Sequence, residues 1–156
     1  METGIHNTSE IGRLKRVLLH RPGRELENLM PEYLERLLFD DIPYLREAQE
    51  EHDAFADCLR QNGVEVVYLT DLVLKSISDK SVREDLVRQF VEEAGIREER
   101  MRETVSDYLT DLPDREMVDA MMAGIRKQEL RTGGEKLGDY LVAAEEDYPF
   151  AVDPMP

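Results

Sequence analysis

Two short β-type runs, Val17-Leu18-Leu19 and Val64 to Leu69, stand about 45 residues apart with helix-like pattern between them. Strands so separated cannot meet through a tight hairpin; a crossover connection has to bring them together. The first run is entered from Arg13-Leu14-Lys15-Arg16 and closed by Arg21-Pro22-Gly23, a tripeptide in which proline fixes φ and glycine frees it for a turn. A short helix is predicted from Pro31 to Leu38, ending around Phe39-Asp40-Asp41. A longer one starts near Pro43, because Leu45, Ala48, His52, Phe55 and Leu59 recur at helical steps, and Gly63 suits its C-terminal cap. Strand, helix, helix, strand over residues 10–70 reads as an α/β unit.

From Asp71 the strand signals disappear. Ser81 and Glu84 have capping-box spacing, Leu86 and Phe90 supply an apolar stripe, and Gly95 can end that helix. A second helix over Arg97 to Leu112 carries Met101, Val105, Tyr108 and Leu109 on one face. Pro113 opens a third, whose face is Met117, Val118, Met121, Met122 and Ile125. Gly133-Gly134 breaks the pattern, and Leu137, Tyr140 and Leu141 suggest a last short helix. The expected division is therefore residues 1–71 as the α/β unit, 72–145 as a helical bundle, and 146–156 as an extended, proline-rich lead-in to a further strand.

The 156 residues suit one domain or little more, and 41% hydrophobic content is enough for a core. The formal net charge of −15 disfavours nucleic acid and anionic lipid, whose affinity for proteins rests on cations. No apolar run is long enough for a membrane helix, and Met1 to His6 lack the start of a signal peptide. A single cysteine requires no oxidising compartment. A soluble, cytoplasmic protein is expected.

Few residues announce chemistry. Cys58 lies late in a helical pattern with no histidine three or four residues away, and is expected to be a buried or half-buried structural thiol. His52 stands between Glu51 and Asp53, but neighbours at ±1 point to different helix faces and cannot chelate together. It reads as a packed or capping histidine; His6 and His20 are isolated. Arg13, Lys15, Arg16, Arg21 and Arg24 form the only basic cluster. Without a glycine-rich loop they are expected to pair with Glu10, Glu25 and Glu27 rather than bind phosphate. The methionines at 117, 121 and 122 suit core packing. In Arg36-Leu37-Leu38-Phe39-Asp40-Asp41-Ile42-Pro43 an apolar run ends in two acids, an arrangement open to a cationic ligand or to helix capping.

Ser9-Glu10-Ile11-Gly12-Arg13-Leu14-Lys15-Arg16-Val17-Leu18-Leu19-His20-Arg21-Pro22-Gly23 resembles the opening strand of bacterial arginine deiminases. Leu37 to Asp41, Glu51 to Phe55, Met121 to Ile125 and Val152 to Pro156 resemble further segments of that family, in its order. The resemblance implies an α/β fold: part of a five-bladed, pseudo-symmetric α/β propeller, with a helical bundle inserted after the first blade. It implies hydrolysis of L-arginine to citrulline and ammonia by a nucleophilic cysteine, with a histidine moving protons and carboxylates holding the guanidinium. No cofactor or metal is implied.

In that family Pro154-Met155-Pro156 is followed by Asn-Leu-Tyr-Phe-Thr-Arg-Asp-Pro, whose aspartate binds the guanidinium, and the catalytic histidine and cysteine come later. None of these stands in this chain, and Cys58 matches no family nucleophile. The resemblance carries over one substrate-binding position, Leu38, as an apolar wall of the arginine pocket, and no catalytic one. The expected partners are L-arginine and the remainder of the same polypeptide, with homo-oligomerisation left open. Two other readings stay open: a related agmatine deiminase or amidinotransferase, and a non-catalytic helical interaction module.

Overall fold

The two β-type runs pair with each other. In the computed structural model, which describes residues 9–31, 34–35, 40–130 and 150–154, β1 (Arg16–Leu19) lies parallel to β2 (Glu65–Tyr68) in the register Arg16↔Glu65 to Leu19↔Tyr68. The intervening chain holds α1 (Arg24–Glu27) and α2 (Leu45–Gln61), so the expected helical crossover is present. The predicted helix over Pro31 to Leu38 falls largely outside the described residues, and the four-residue α1, which has no apolar periodicity, was not foreseen.

The stripe that α2 turns inward is Leu45, Ala48, His52, Ala56 and Leu59, with Ala56 fully buried. Phe55, expected on this face, is 55% exposed, because the 3.6-residue turn carries it to the stripe's rim and leaves Ala56 nearer its centre. Gly63 follows the helix at φ +76°, the left-handed conformation expected of its C-cap. Leu45 and Ala48 pack with Leu26, Leu29 and Leu34 in a small apolar cluster.

Past β2 the chain enters α3 (Leu69–Ser76) directly, so Leu69 begins a helix instead of ending a strand. It continues through α4 (Lys80–Glu93), α5 (Glu99–Asp111) and α6 (Asp114–Ala123). The N-cap of α4 is Asp79, whose carboxylate accepts from Ser81 N at 2.9 Å; Ser81 is therefore inside the helix, not its cap. Val87 and Val91 are the buried residues of α4, while Leu86 and Phe90 pack partly buried beside them. Val105, Leu109, Met117, Val118 and Met121 fill the main core as the periodicity predicted.

Ile125 is fully buried but belongs to a strand, β3 (Ile125–Arg126), because Gly124 ends α6 first. β3 pairs antiparallel with β4 (Phe150–Val152), the apolar stretch expected to be extended. The described residues thus form a mixed α/β arrangement with two two-stranded sheets. No helix among them is long and apolar enough to cross a membrane.

Candidate functional site

At the carboxyl end of β1 the chain must reverse, and in sheets of parallel strands such ends are where ligands commonly lodge. Three polar clamps hold this reversal. The Glu25 carboxylate, buried beneath it, accepts from Gly23 N at 2.6 Å and pairs with His20 Nε2 at 2.9 Å. These two partners offset the cost of burying a carboxylate. Arg21 donates from Nε and Nη2 to the two carboxylate oxygens of Asp53 on α2, at 2.8 and 2.9 Å. These charge-assisted bonds hold Asp53 below the usual carboxylate range and raise the Arg21 guanidinium. Gln49, also on α2, donates from Nε2 to Pro22 O at 2.8 Å.

His20 is thus not isolated, contrary to expectation: the turn folds it back onto Glu25, five residues on. His52 packs as anticipated, its ring centroid 5.8 Å from that of Tyr68 and its Nδ1 3.7 Å from Asp53 Oδ1. Three cations of the basic cluster form ion pairs as expected of it, but with partners other than the Glu10, Glu25 and Glu27 anticipated. Arg16 meets Glu65 at 2.7 Å, Arg21 meets Asp53, and Arg24 meets Glu129 at 3.8 Å. Parallel pairing of β1 and β2 brings Arg16 and Glu65 into register.

Cys58 is exposed, which corrects the expectation of a buried thiol; it sits on the outward side of α2, with the Asn62 amide 3.9 Å from Sγ. Asp40 and Asp41 are exposed as well. Asp41 accepts from Ile42 N at 2.7 Å, and α2 starts after Tyr44 without a side-chain cap, so neither acid caps it. Leu38, the predicted pocket wall, lies outside the described residues. The chain on either side of it is placed: Leu34 and Leu45 both rest on the cluster with Leu26, Leu29 and Ala48. Among the described residues no group of three or more His, Cys, Asp or Glu side chains could hold a metal ion.

The family profile described as Arginine deiminase matches residues 35–156. The chain belongs to the arginine deiminase family. It is 50% identical over 153 residues to the arginine deiminase of Streptococcus uberis, a match covering 97% of this chain and 37% of that protein. The arginine deiminase of Streptococcus agalactiae serotype Ia is 48% identical over the same coverage. That of Streptococcus pneumoniae strain Hungary19A-6 is 50% identical over 149 residues, or 95% of this chain and 36% of the relative. The chain therefore spans just over a third of the length of the curated relatives it matches. The family resemblance read from Leu37 to Asp41, Glu51 to Phe55, Met121 to Ile125 and Val152 to Pro156 is borne out, since the profile's matched range includes all four segments.

Proposed function

We propose that this chain forms the amino-terminal part of an arginine deiminase, which in the cytoplasm hydrolyses free L-arginine to L-citrulline and ammonia. The observation that carries the reading is the family match across most of the chain. In this reading residues 1–71 are the first blade of a five-bladed α/β propeller, 72–145 the inserted helical domain, and 146–156 the lead-in to the next blade. The parallel β1–β2 pair with its α2 crossover supports the blade.

The reaction needs an activated nucleophile to attack the guanidinium carbon, a proton donor for the departing ammonia, and carboxylates to hold the cation. Water then releases the product, so arginine and water are consumed and citrulline and ammonia formed. We assign the nucleophile and the proton donor to the part of the relatives' length that this chain does not span. Cys58, exposed at the end of α2, takes no part. Leu38 contributes an apolar wall that excludes water from the guanidinium.

The test is citrulline formation by purified residues 1–156, alone and joined to the remainder of an arginine deiminase, in cis or as a separate chain. The joined protein is expected to form citrulline from arginine and to release ammonia from arginine faster than from agmatine, and residues 1–156 alone to form no citrulline. Citrulline produced in proportion to the concentration of the mass-verified 156-residue chain would overturn the assignment of the catalytic groups.

A further inference from the structure

Of the asparagines in the sequence, Asn7, Asn28 and Asn62, only Asn62 precedes a glycine. An asparagine amide carbon is open to attack by the backbone nitrogen of the next residue, and a glycine there has no Cβ to obstruct the approach. Asn62 and Gly63 are both exposed, at the junction of α2 and β2. In the fold each reacting group is engaged elsewhere. Gly63 N donates to Arg60 O at 3.0 Å and Val64 N to Leu59 O at 3.0 Å, the paired bonds of a Schellman cap. Asn62 Nδ2 donates to Cys58 O at 2.8 Å, which draws the side chain back over the last turn of α2. The Asn62 backbone stands at φ −89° and ψ 11°, tied by its own N to Cys58 O and Leu59 O.

We infer that Asn62-Gly63 is a site of spontaneous covalent modification that the C-terminal cap of α2 holds shut. When the cap opens, Gly63 N gives up its proton and bonds to Asn62 Cγ, the Cγ–Nδ2 bond breaks, and ammonia leaves. Water then opens the cyclic imide at either carbonyl, so that amide and water become carboxylic acid and ammonia. The product is aspartate, or isoaspartate, in which the main chain runs through Cβ and is longer by a methylene. Neither product restores the cap. A carboxylate cannot donate to Cys58 O, and it sets a negative charge against the negative end of α2. The longer isoaspartate path also displaces Val64 and Glu65. Glu65 N donates to Lys15 O at 2.9 Å, where the β1–β2 register begins with Arg16↔Glu65. The modification therefore loosens the strand pair, and does so irreversibly.

Neither step draws on arginine hydrolysis. The protein used is residues 1–156 joined in cis to the remainder of an arginine deiminase, incubated in mildly alkaline buffer both folded and in urea. Conversion at Asn7, Asn28 and Asn62 is followed by peptide mass spectrometry, and isoaspartate by an isoaspartate-specific carboxyl methyltransferase. In urea Asn62 is expected to convert faster than Asn7 and Asn28. In the folded protein it should convert at least about tenfold more slowly than in urea, since both cap bonds must break before attack. Ala56→Gly, which weakens α2 at a fully buried position, should speed conversion in the folded protein about fivefold and leave the rate in urea unchanged. Asn62→Asp should raise hydrogen exchange over residues 58–68 and leave α4 as it is in the parent. Conversion at Asn62 no faster than at Asn7 or Asn28 in urea would overturn the site. Equal rates folded and in urea would overturn the part played by the cap, and that comparison needs no variant to fold. Exchange over residues 64–68 unchanged by Asn62→Asp would overturn the loosening of β1–β2.

Discussion

Replacing Gly124 by alanine probes the closest approach of backbone to a glycine among the described residues. Gly124 stands at φ +77° and ψ +164°, a region open essentially to glycine alone, where another residue costs about 1–3 kcal/mol. A Cβ built there would also meet Pro154 N at 2.5 Å, Val152 O at 2.8 Å and Asp153 C at 2.9 Å. All three are backbone atoms at the exit of β4, so no rotamer change can relieve the overlap, and forced overpacking adds about 1–3 kcal/mol. Gly124→Ala is therefore expected to destabilise by about 2–6 kcal/mol, a large part of the 5–15 kcal/mol typical of a domain. Gly63→Ala isolates the conformational part. Its φ is nearly the same, +76°, but its Cβ would meet only the far end of the flexible Arg13 side chain at 3.3 Å. There the expected cost is about 1–2 kcal/mol. Urea unfolding of the two variants beside the parent gives the comparison, and hydrogen exchange over residues 125–126 and 150–152 locates the damage. Equal destabilisation by the two substitutions would show that the backbone contact contributes nothing beyond the φ angle.

Cys58→Ala is expected to leave stability within about 0.5 kcal/mol, since the thiol is exposed, and to leave full-length turnover unchanged; a loss of several orders of magnitude in a folded variant would refute its exclusion from the chemistry. Leu38→Asp in the full-length enzyme should harm arginine affinity and turnover more than folding, and unchanged kinetics at an unchanged melting temperature would remove Leu38 from the pocket. Asp79 is held below the ordinary carboxylate range by the Ser81 hydroxyl and then by the Ser81 backbone N–H. Because its native pKa is lowered, its contribution to α4 is complete above about pH 4–5 and fades as pH falls through the lowered value. Asp79→Asn, which keeps a cap without that titration, should differ from the parent by a constant amount above this window and by a changing one below it; a difference independent of pH down to about pH 2 would refute the argument.

What could be read without coordinates was what repeats locally. The β-branched run before Leu69, the pairs Val105–Leu109 and Met117–Met121, and the extended stretch at Phe150 each carry their signal within a few residues, and each folds as its pattern implies. Misreadings arose where local rules competed. Ser81 and Asp79 both suit a cap, and the residue whose carboxylate reaches Ser81 N won. Ile125 continues the apolar spacing of α6, yet Gly124 ends the helix before it. Asn28, whose buried side chain bonds Ala123 O and Arg126, gave no signal because these partners lie 95 and 98 residues further along, and an asparagine after a short charged stretch looks like any surface turn. Leu38 was marked by family resemblance alone, since one leucine in an apolar run has nothing in its own chemistry to distinguish it.

One discrepancy between pattern and burial points beyond the described residues. Val17-Leu18-Leu19 is apolar on both faces of β1, as suits a strand in a parallel sheet covered on both sides. Val17 and Leu19 are half-buried, but Leu18 stands 53% exposed on the opposite face, where the Arg16–Glu65 ion pair also lies and Val67 is its register partner. Uncovered, that leucine gains little from its size, and a polar residue would serve solubility better. The match to relatives of which this chain spans just over a third supplies a reason for it. Joining the chain to the remainder of an arginine deiminase is accordingly expected to shield Leu18, and Leu18→Lys to weaken that association while leaving β1–β2 pairing in the 156-residue chain intact.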